Sequence, residues 1–261
     1  MKPLISLLTD FGLGDPYVGE VKAVISSICS DARVVDITHA VRQFDVRMGA
    51  FLLAAAAPYF PSGTVHLAVV DPGVGGKRRP IAIESQCALY VGPDNGLLIP
   101  AAAAQGIQHV YEVTNRFLMM DTISSTFHGR DIFAPVAAHL ACGTPVKEVG
   151  GEITDYVQLS FGKPKFGKNV VTCEVVHNDR FGNVVTNIPN HVVGNLSKQL
   201  FVRVGRRRFR ARLVKSYSEL EEKELGLLGG SHGFLEIACR ESSAASKLGV
   251  GPGSVLRITV G

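Results

Sequence analysis

The residues best placed to do chemistry lie where apolar runs stop. Val65–Val70 runs into Asp71-Pro72-Gly73-Val74-Gly75-Gly76-Lys77-Arg78. An acid and a base thus stand seven residues apart, with glycines between them that let the base fold back. The same loop fails as a phosphate cradle. A P-loop requires G-x-x-x-x-G-K-[ST], but Asp71 occupies the first glycine position and Arg78 the hydroxyl position. An acid there would repel phosphate. Gly12-Leu13-Gly14 lacks the third glycine of a dinucleotide fingerprint. Asp10, in Thr9-Asp10-Phe11-Gly12, also follows an apolar run. A carboxylate at that place can accept from both hydroxyls of a ribose, as acidic residues do in nucleotide folds. Phe127-His128-Gly129-Arg130-Asp131 gathers three ionisable side chains ahead of a helix, an arrangement suited to an anion or dipole. Asn178-Asp179-Arg180-Phe181-Gly182-Asn183 connects two strand-like runs. There Asn183 offers an amide that matches an adenine edge, and Phe181 offers a ring to stack. Each segment alone also reads as a helix cap or a turn. No His, Cys, Asp or Glu grouping has metal-ligand spacing.

The elements that must carry these residues change character along the chain. In the first half strands alternate with helices: Leu4–Leu8, Val34–Ile37, Val65–Val70, Ile81–Ile83, Ala88–Val91 and His109–Val113 against a helix opened by Asp15-Pro16, the Ala- and Leu-rich Val46–Tyr59, a short Leu97–Gln105 and Ile132–Ala141. That alternation predicts an α/β layer with a central, mostly parallel sheet. Val18, Val21, Val24 and Ile25 give the first helix its apolar stripe. Pro164–Lys168 reads as a linker. Beyond it, short strands with turn signals predict a smaller β-barrel domain. The expected division is 1–163 for the α/β domain and 169–261 for the barrel. Within the barrel, Arg206–Arg212 puts Arg208, Arg210 and Arg212 on one strand face, which reads as a solvated face rather than a nucleic-acid patch.

Composition is that of a folded globular protein. In 261 residues, 46 % are hydrophobic and 19 % charged, which suffices for a large core and argues against disorder. The net charge of +4 is too small to argue for nucleic acid. The longest apolar stretch, Gly49–Tyr59, falls well short of the ~20 residues needed to span a bilayer, and the N-terminus has no signal-peptide pattern. Five cysteines without C-x-x-C spacing argue against a disulfide framework and fit a reducing cytoplasm.

Five segments occur in a recognisable order: Leu8-Thr9-Asp10-Phe11-Gly12, Val70-Asp71-Pro72-Gly73-Val74-Gly75, Thr126-Phe127-His128-Gly129-Arg130-Asp131, Asp179-x-Phe181-Gly182-Asn183 with Thr186-Asn187-Ile188, and Ser231-x-Gly233-x-Leu235-Glu236-Ile237-Ala238. In this the chain resembles the S-adenosyl-L-methionine (SAM) hydroxide adenosyltransferases, SAM hydrolases related to the fluorinating and chlorinating enzymes. The resemblance implies hydrolysis of SAM to adenosine and L-methionine, without metal or other cofactor. It also implies a homotrimer with sites between subunits, and neither nucleic acid nor membrane as partner. By position it implies a catalytic set of Asp71, His128 and an arginine, Arg78 or its neighbour Arg79, taken as Arg78. Asp10, with Phe11 beside it, would hold the ribose. Phe181 and Asn183 would hold adenine, and Asp179 and Ser231 the methionine end, where His232 is a less familiar neighbour. The alternatives are a halogenase of the same fold, which carries an aromatic hydroxyl where Asp71 stands, and a nucleoside- or RNA-binding module with a vestigial site.

Overall fold

A computed structural model describes residues 2–195 and 199–260. They form two compact units, Met1–Ser160 and Phe161–Gly261.

The first unit contains strands β1 (Leu4–Thr9), β2 (Arg33–Thr38), β3 (Val65–Val69), β4 (Pro80–Ser85), β5 (Leu89–Pro93) and β6 (Ile107–Glu112). Its helices are α1 (Tyr17–Ile28), α2 (Val46–Ala56), α3 (Ile99–Ala104) and α4 (Ala134–Ala141). The sheet order is β2-β1-β3-β5-β4-β6. β1 pairs in parallel with β2 and β3, and β3 with β5. Only β4 runs against its neighbours, so the sheet is mixed with a parallel centre. The central strands are near-continuous apolar runs because both faces are covered. Ile5, Leu7, Val65, Leu67 and Val69 share one core with Val18, Val21 and Ile25 of α1 and with α4. Leu8 and Val70 face the other way, against Gly49 of α2. Asp45 caps α2 by accepting from the Met48 amide at 2.9 Å.

One buried histidine makes this core sensitive to acid. His66 on β3 hydrogen-bonds Ser6 Oγ through Nδ1 at 2.6 Å and stacks on Tyr90 at 4.8 Å. Burial lowers its pKa from 6.5 to about 4. The unfolded chain therefore binds the extra proton first. The stability that neutral His66 provides is complete above about pH 6.5 and is lost as the pH falls through about 4, by about 3 kcal/mol in all. Denaturant unfolding across that window should show this slope, and His66→Gln should flatten it. An unchanged slope in the variant would assign the acid sensitivity elsewhere.

The cysteines depart from the expectation in one place. Cys29 and Cys142 form a disulfide, with Cα atoms 5.9 Å apart and a sequence separation of 113. Each is the residue that ends a helix, α1 and α4 respectively. The two helices pack side by side, and that packing, invisible in local spacing, brings the thiols together. Cys87, Cys173 and Cys239 are free.

The second unit contains β7 (Lys165–Phe166), β8 (Val170–Asn178), β9 (Val184–Pro189), β10 (Gln199–Val204), β11 (Arg207–Leu213), β12 (Leu225–Gly229), β13 (Phe234–Cys239), α5 (Ala244–Leu248) and β14 (Val255–Val260). The strand order is β14-β10-β11-β12-β13-β9-β8-β7, and pairing of β14 with β8 closes a seven-stranded barrel. β7 lies within the segment expected to be a linker; it pairs with β8. β12 carries a weak strand signal in sequence, because Leu-Gly-Leu-Leu-Gly is short and glycines weaken a strand. Inward side chains from all seven barrel strands make the core. On the outer face Arg212 pairs with Glu224, and the Arg208 guanidinium lies 3.4 Å over the Phe201 ring. Among the described residues no helix is long and apolar enough to cross a membrane.

Candidate active site

The loop after β3 turns sharply back on itself. Asn95 Nδ2 donates to the Val70 carbonyl at 2.8 Å. The amides of Val74 and Gly76 donate to the carbonyls of Asp71 and Gly73. A Cβ on Gly73 would lie 3.1 Å from Arg78 Cγ, so the bare glycine leaves room for Arg78 to lie over the turn. Arg78 Nε then donates to both Asp71 oxygens, at 3.0 and 2.9 Å, and its Nη2 donates to Oδ2. The two side chains are 10 % and 6 % exposed, so this fork is shielded from water and salt.

His128 completes the cluster from a distant part of the chain. Arg78 Nη2 lies 2.8 Å from His128 Nδ1. A guanidinium has no acceptor, so Nδ1 is the acceptor and the imidazole is the neutral Nε2–H tautomer. Burial, followed by the charge of Arg78, holds its pKa below the ordinary histidine value. His128 opens a single π-helical turn, Gly129–Phe133, that leads into α4. Such turns recur at functional sites. Gly75 locks the two loops together: its φ is +73°, and a Cβ there would lie 2.2 Å from the Ser125 carbonyl oxygen.

Asp10 faces the same cavity from the end of β1. Its Oδ2 accepts from the Phe44 amide at 2.9 Å. Burial raises its pKa, the Phe44 amide opposes that, and the charge of Asp71 adds to it. Thr9 Oγ1 meets His39 Nδ1 at 2.8 Å, and the Gly12 amide donates to the His39 carbonyl. Phe44 adopts φ +65°, uncommon for a bulky residue and indicative of a site held by its surroundings. The cavity, about 260 Å³, is lined by Asp10, Phe11, Tyr17, Phe44, Asp71 and His128, among others.

The second unit presents its own cavity of about 850 Å³, whose lining includes Asp179, Phe181, Asn183, Tyr217, Ser231 and Glu236. Asp179 Oδ1 accepts from the Phe181 and Asn183 amides, and Oδ2 from Asn183 Nδ2. Both its oxygens thus build the turn that displays Phe181, which is 81 % exposed. Tyr217 Oη donates to the buried Glu236 at 2.8 Å. His232 lines the cavity beside Ser231.

Residues 5–150 match the family model for the SAM hydroxide adenosyltransferase N-terminal domain, and residues 173–257 match that for the C-terminal domain. The chain belongs to the SAM hydroxide adenosyltransferase family. It is 42 % identical to the (R)-S-adenosyl-L-methionine hydrolase of Salinispora tropica, over 99 % of this chain and 98 % of that enzyme. A fluorinase from an Actinoplanes species is 30 % identical over 74 % of this chain and 70 % of its own. The crystal structure of a conserved protein from Thermotoga maritima superposes with a TM-score of 0.94 at 41 % identity, covering 98 % of this chain and all of that one.

Within this family member, the residues singled out in sequence fall into two groups. Asp10, Phe11, Asp71, Arg78 and His128 gather in the first unit; Asp179, Phe181, Asn183 and Ser231 gather in the second. The two adjacent arginines separate clearly. Arg78 joins Asp71 and His128, whereas Arg79 turns to Asp94 and Asp155. Sequence reasoning missed Phe44, Tyr17, Tyr217 and Glu236. Glu236 lies within a quoted motif, but nothing local marks it or the three aromatics as cavity residues. Among the described residues no group of three or more His, Cys, Asp or Glu side chains is arranged to hold a metal ion.

Proposed function

We propose that this protein hydrolyses SAM to adenosine and L-methionine by attack of water on C5′. The observation that carries this reading is the partly buried Asp71–Arg78–His128 cluster, whose Asp71 and His128 line the cavity that Asp10 also faces. In the reaction a water oxygen bonds to C5′, the C5′–S bond breaks, and its electron pair stays on sulfur. The leaving group is a neutral thioether, so no negative charge develops there for a Lewis acid to stabilise. Water is the poor partner, with a bulk pKa of about 15.7. It must be held in line with the C–S bond, roughly 3–3.5 Å from C5′, and relieved of a proton. Asp71, fixed by the Arg78 fork, orients the water and accepts the proton, which then passes to solvent. Arg78 and neutral His128 hold the oxygen as it takes on hydroxide character. Asp10 binds the ribose hydroxyls beside Phe11. Asn183 and Phe181 take adenine, and Asp179 and Ser231 the methionine end. SAM is the substrate and no cofactor is used.

A halide would meet the Asp71 carboxylate at the nucleophile position and be repelled, which weighs against the halogenase reading despite the fluorinase relatives. Incubation with SAM in chloride, with and without EDTA, followed by chromatography, should give adenosine and methionine at equal rates. A 5′-halo-adenosine as main product would overturn the hydrolase reading. Loss of turnover in EDTA, restored by a divalent ion, would overturn metal independence.

We further propose a homotrimer with sites between subunits, located in the cytoplasm, with neither nucleic acid nor membrane as partner. The trimer rests on family likeness. Light scattering should give three times the chain mass; a fully active monomer would contradict it.

A further inference from the structure

One charge network, built on a single buried carboxylate, has no role in the proposed reaction. Asp131 has a side chain only 2 % exposed. Its Oδ2 accepts from the Ser124 amide at 2.8 Å, and its Oδ1 from Arg130 Nε at 2.7 Å. Arg130 Nη1 continues to Glu20 Oε2 on α1 at 2.8 Å. Burial would raise the Asp131 pKa, but the Arg130 hydrogen bond and the Ser124 amide more than offset this and leave it lowered. The carboxylate stays charged, and a charge that buried is costly unless it is paired.

What this network holds is the segment that delivers His128. Asp131 grips that segment at Ser124, four residues before the histidine. Ser124 Oγ accepts from the Phe127 amide at 2.9 Å. The Arg130 guanidinium lies 5.1 Å over the Phe127 ring, and that ring packs edge-on against Phe11 and Tyr17. The Asp131 amide in turn donates to the Phe127 carbonyl. Ser124 and Phe127 are thus fixed to the Asp131–Arg130 pair and to the aromatic cluster, and the Ser125 carbonyl lies close against Gly75. The segment ends at the imidazole whose Nδ1 meets Arg78.

We infer that Asp131 is a positioning residue for the reaction, acting through His128. It is not among the residues that line the cavity. It sets the loop so that the imidazole presents Nδ1 to Arg78 and keeps its proton on Nε2, and Arg130 and Glu20 hold the carboxylate in place. This rests on His128 being catalytic. Displacement of a reacting group by about 1 Å costs on the order of 10²-fold in rate. Asp131→Ala should therefore lower kcat by about 10–100-fold while changing KM for SAM less than about threefold. Asp131→Asn keeps the shape and can still accept from the Ser124 amide, so it should lose less.

A double-mutant cycle with His128→Ala decides the matter. If Asp131 works through His128, adding Asp131→Ala to His128→Ala should cost nothing further in single-turnover rate. Additive losses, or a loss confined to KM, would overturn the assignment while leaving SAM hydrolysis intact. Full turnover by His128→Ala alone would overturn the role of His128, and this inference with it. An independent readout is the ¹⁵N shift of the His128 ring. The parent protein should show the Nε2–H tautomer, and Asp131→Ala a mixture. A folded Asp131→Ala protein with the parent tautomer and reduced kcat would also count against the inference.

Discussion

Asp71→Ala is expected to abolish most turnover while leaving SAM binding close to normal. Asp71 faces the attacking water rather than the nucleoside in the proposed reaction, and its loss removes both the proton acceptor and the anchor of Arg78. Positioned general-base groups contribute about 10²–10⁴-fold, and a loss in that range is expected in single-turnover rate. Asp10→Ala should show the opposite pattern. Its carboxylate holds ribose hydroxyls equally in the ground and transition states, so affinity falls first and kcat follows little. Calorimetry with SAM and single-turnover rates on the two variants separate these roles. Near-normal turnover by Asp71→Ala would remove it from the catalytic set. So would a reversed pattern, with Asp71→Ala unable to bind SAM and Asp10→Ala binding normally.

Gly75→Ala should be nearly as damaging, although Gly75 is assigned no contact with substrate. Two costs coincide at this position. A left-handed conformation costs an L-residue about 1–2 kcal/mol, and φ here is +73°. The new methyl would also lie 2.2 Å from the Ser125 carbonyl oxygen, a backbone atom that cannot swing aside. The Asp71–Arg78 loop and the His128 segment must therefore separate. Separation of roughly 1 Å pulls the Arg78 guanidinium from the imidazole and should cost about 10²-fold in kcat. A lower melting temperature should accompany it. A variant with parent kcat and parent Tm would show that the two loops are not braced against each other at Gly75.

The site was partly legible because open α/β sheets place functional side chains where strands end. Asp10 and Asp71 each follow an apolar run, and that local pattern sufficed to single them out. The glycines between Asp71 and Arg78 signalled a loop able to fold back, as Gly73 and Gly75 do. Residues that act through long-range contacts carried no such mark. Phe44 takes a left-handed conformation normally left to glycine, asparagine or aspartate, so its amide contact with Asp10 could not be read from its type. Tyr217 and Glu236 meet only because a short turn and β13 border the same cavity.

By itself the sequence determined which chemistry was available: an acid, a base and a histidine at loop positions, a parallel-centred α/β layer, a small barrel, and five ordered segments that mark the family. Only the tertiary structure decided which groups meet. It chose Arg78 over Arg79, because adjacent residues in a tight loop point to opposite sides and only one side holds Asp71. It brought His128 to Arg78 across fifty residues, through Gly75 seated against Ser125. It joined Cys29 to Cys142, because α1 and α4 end side by side. Local spacing records side-chain type and strand or helix phase. Approach between distant segments depends on packing, and packing is settled only when the whole core has closed.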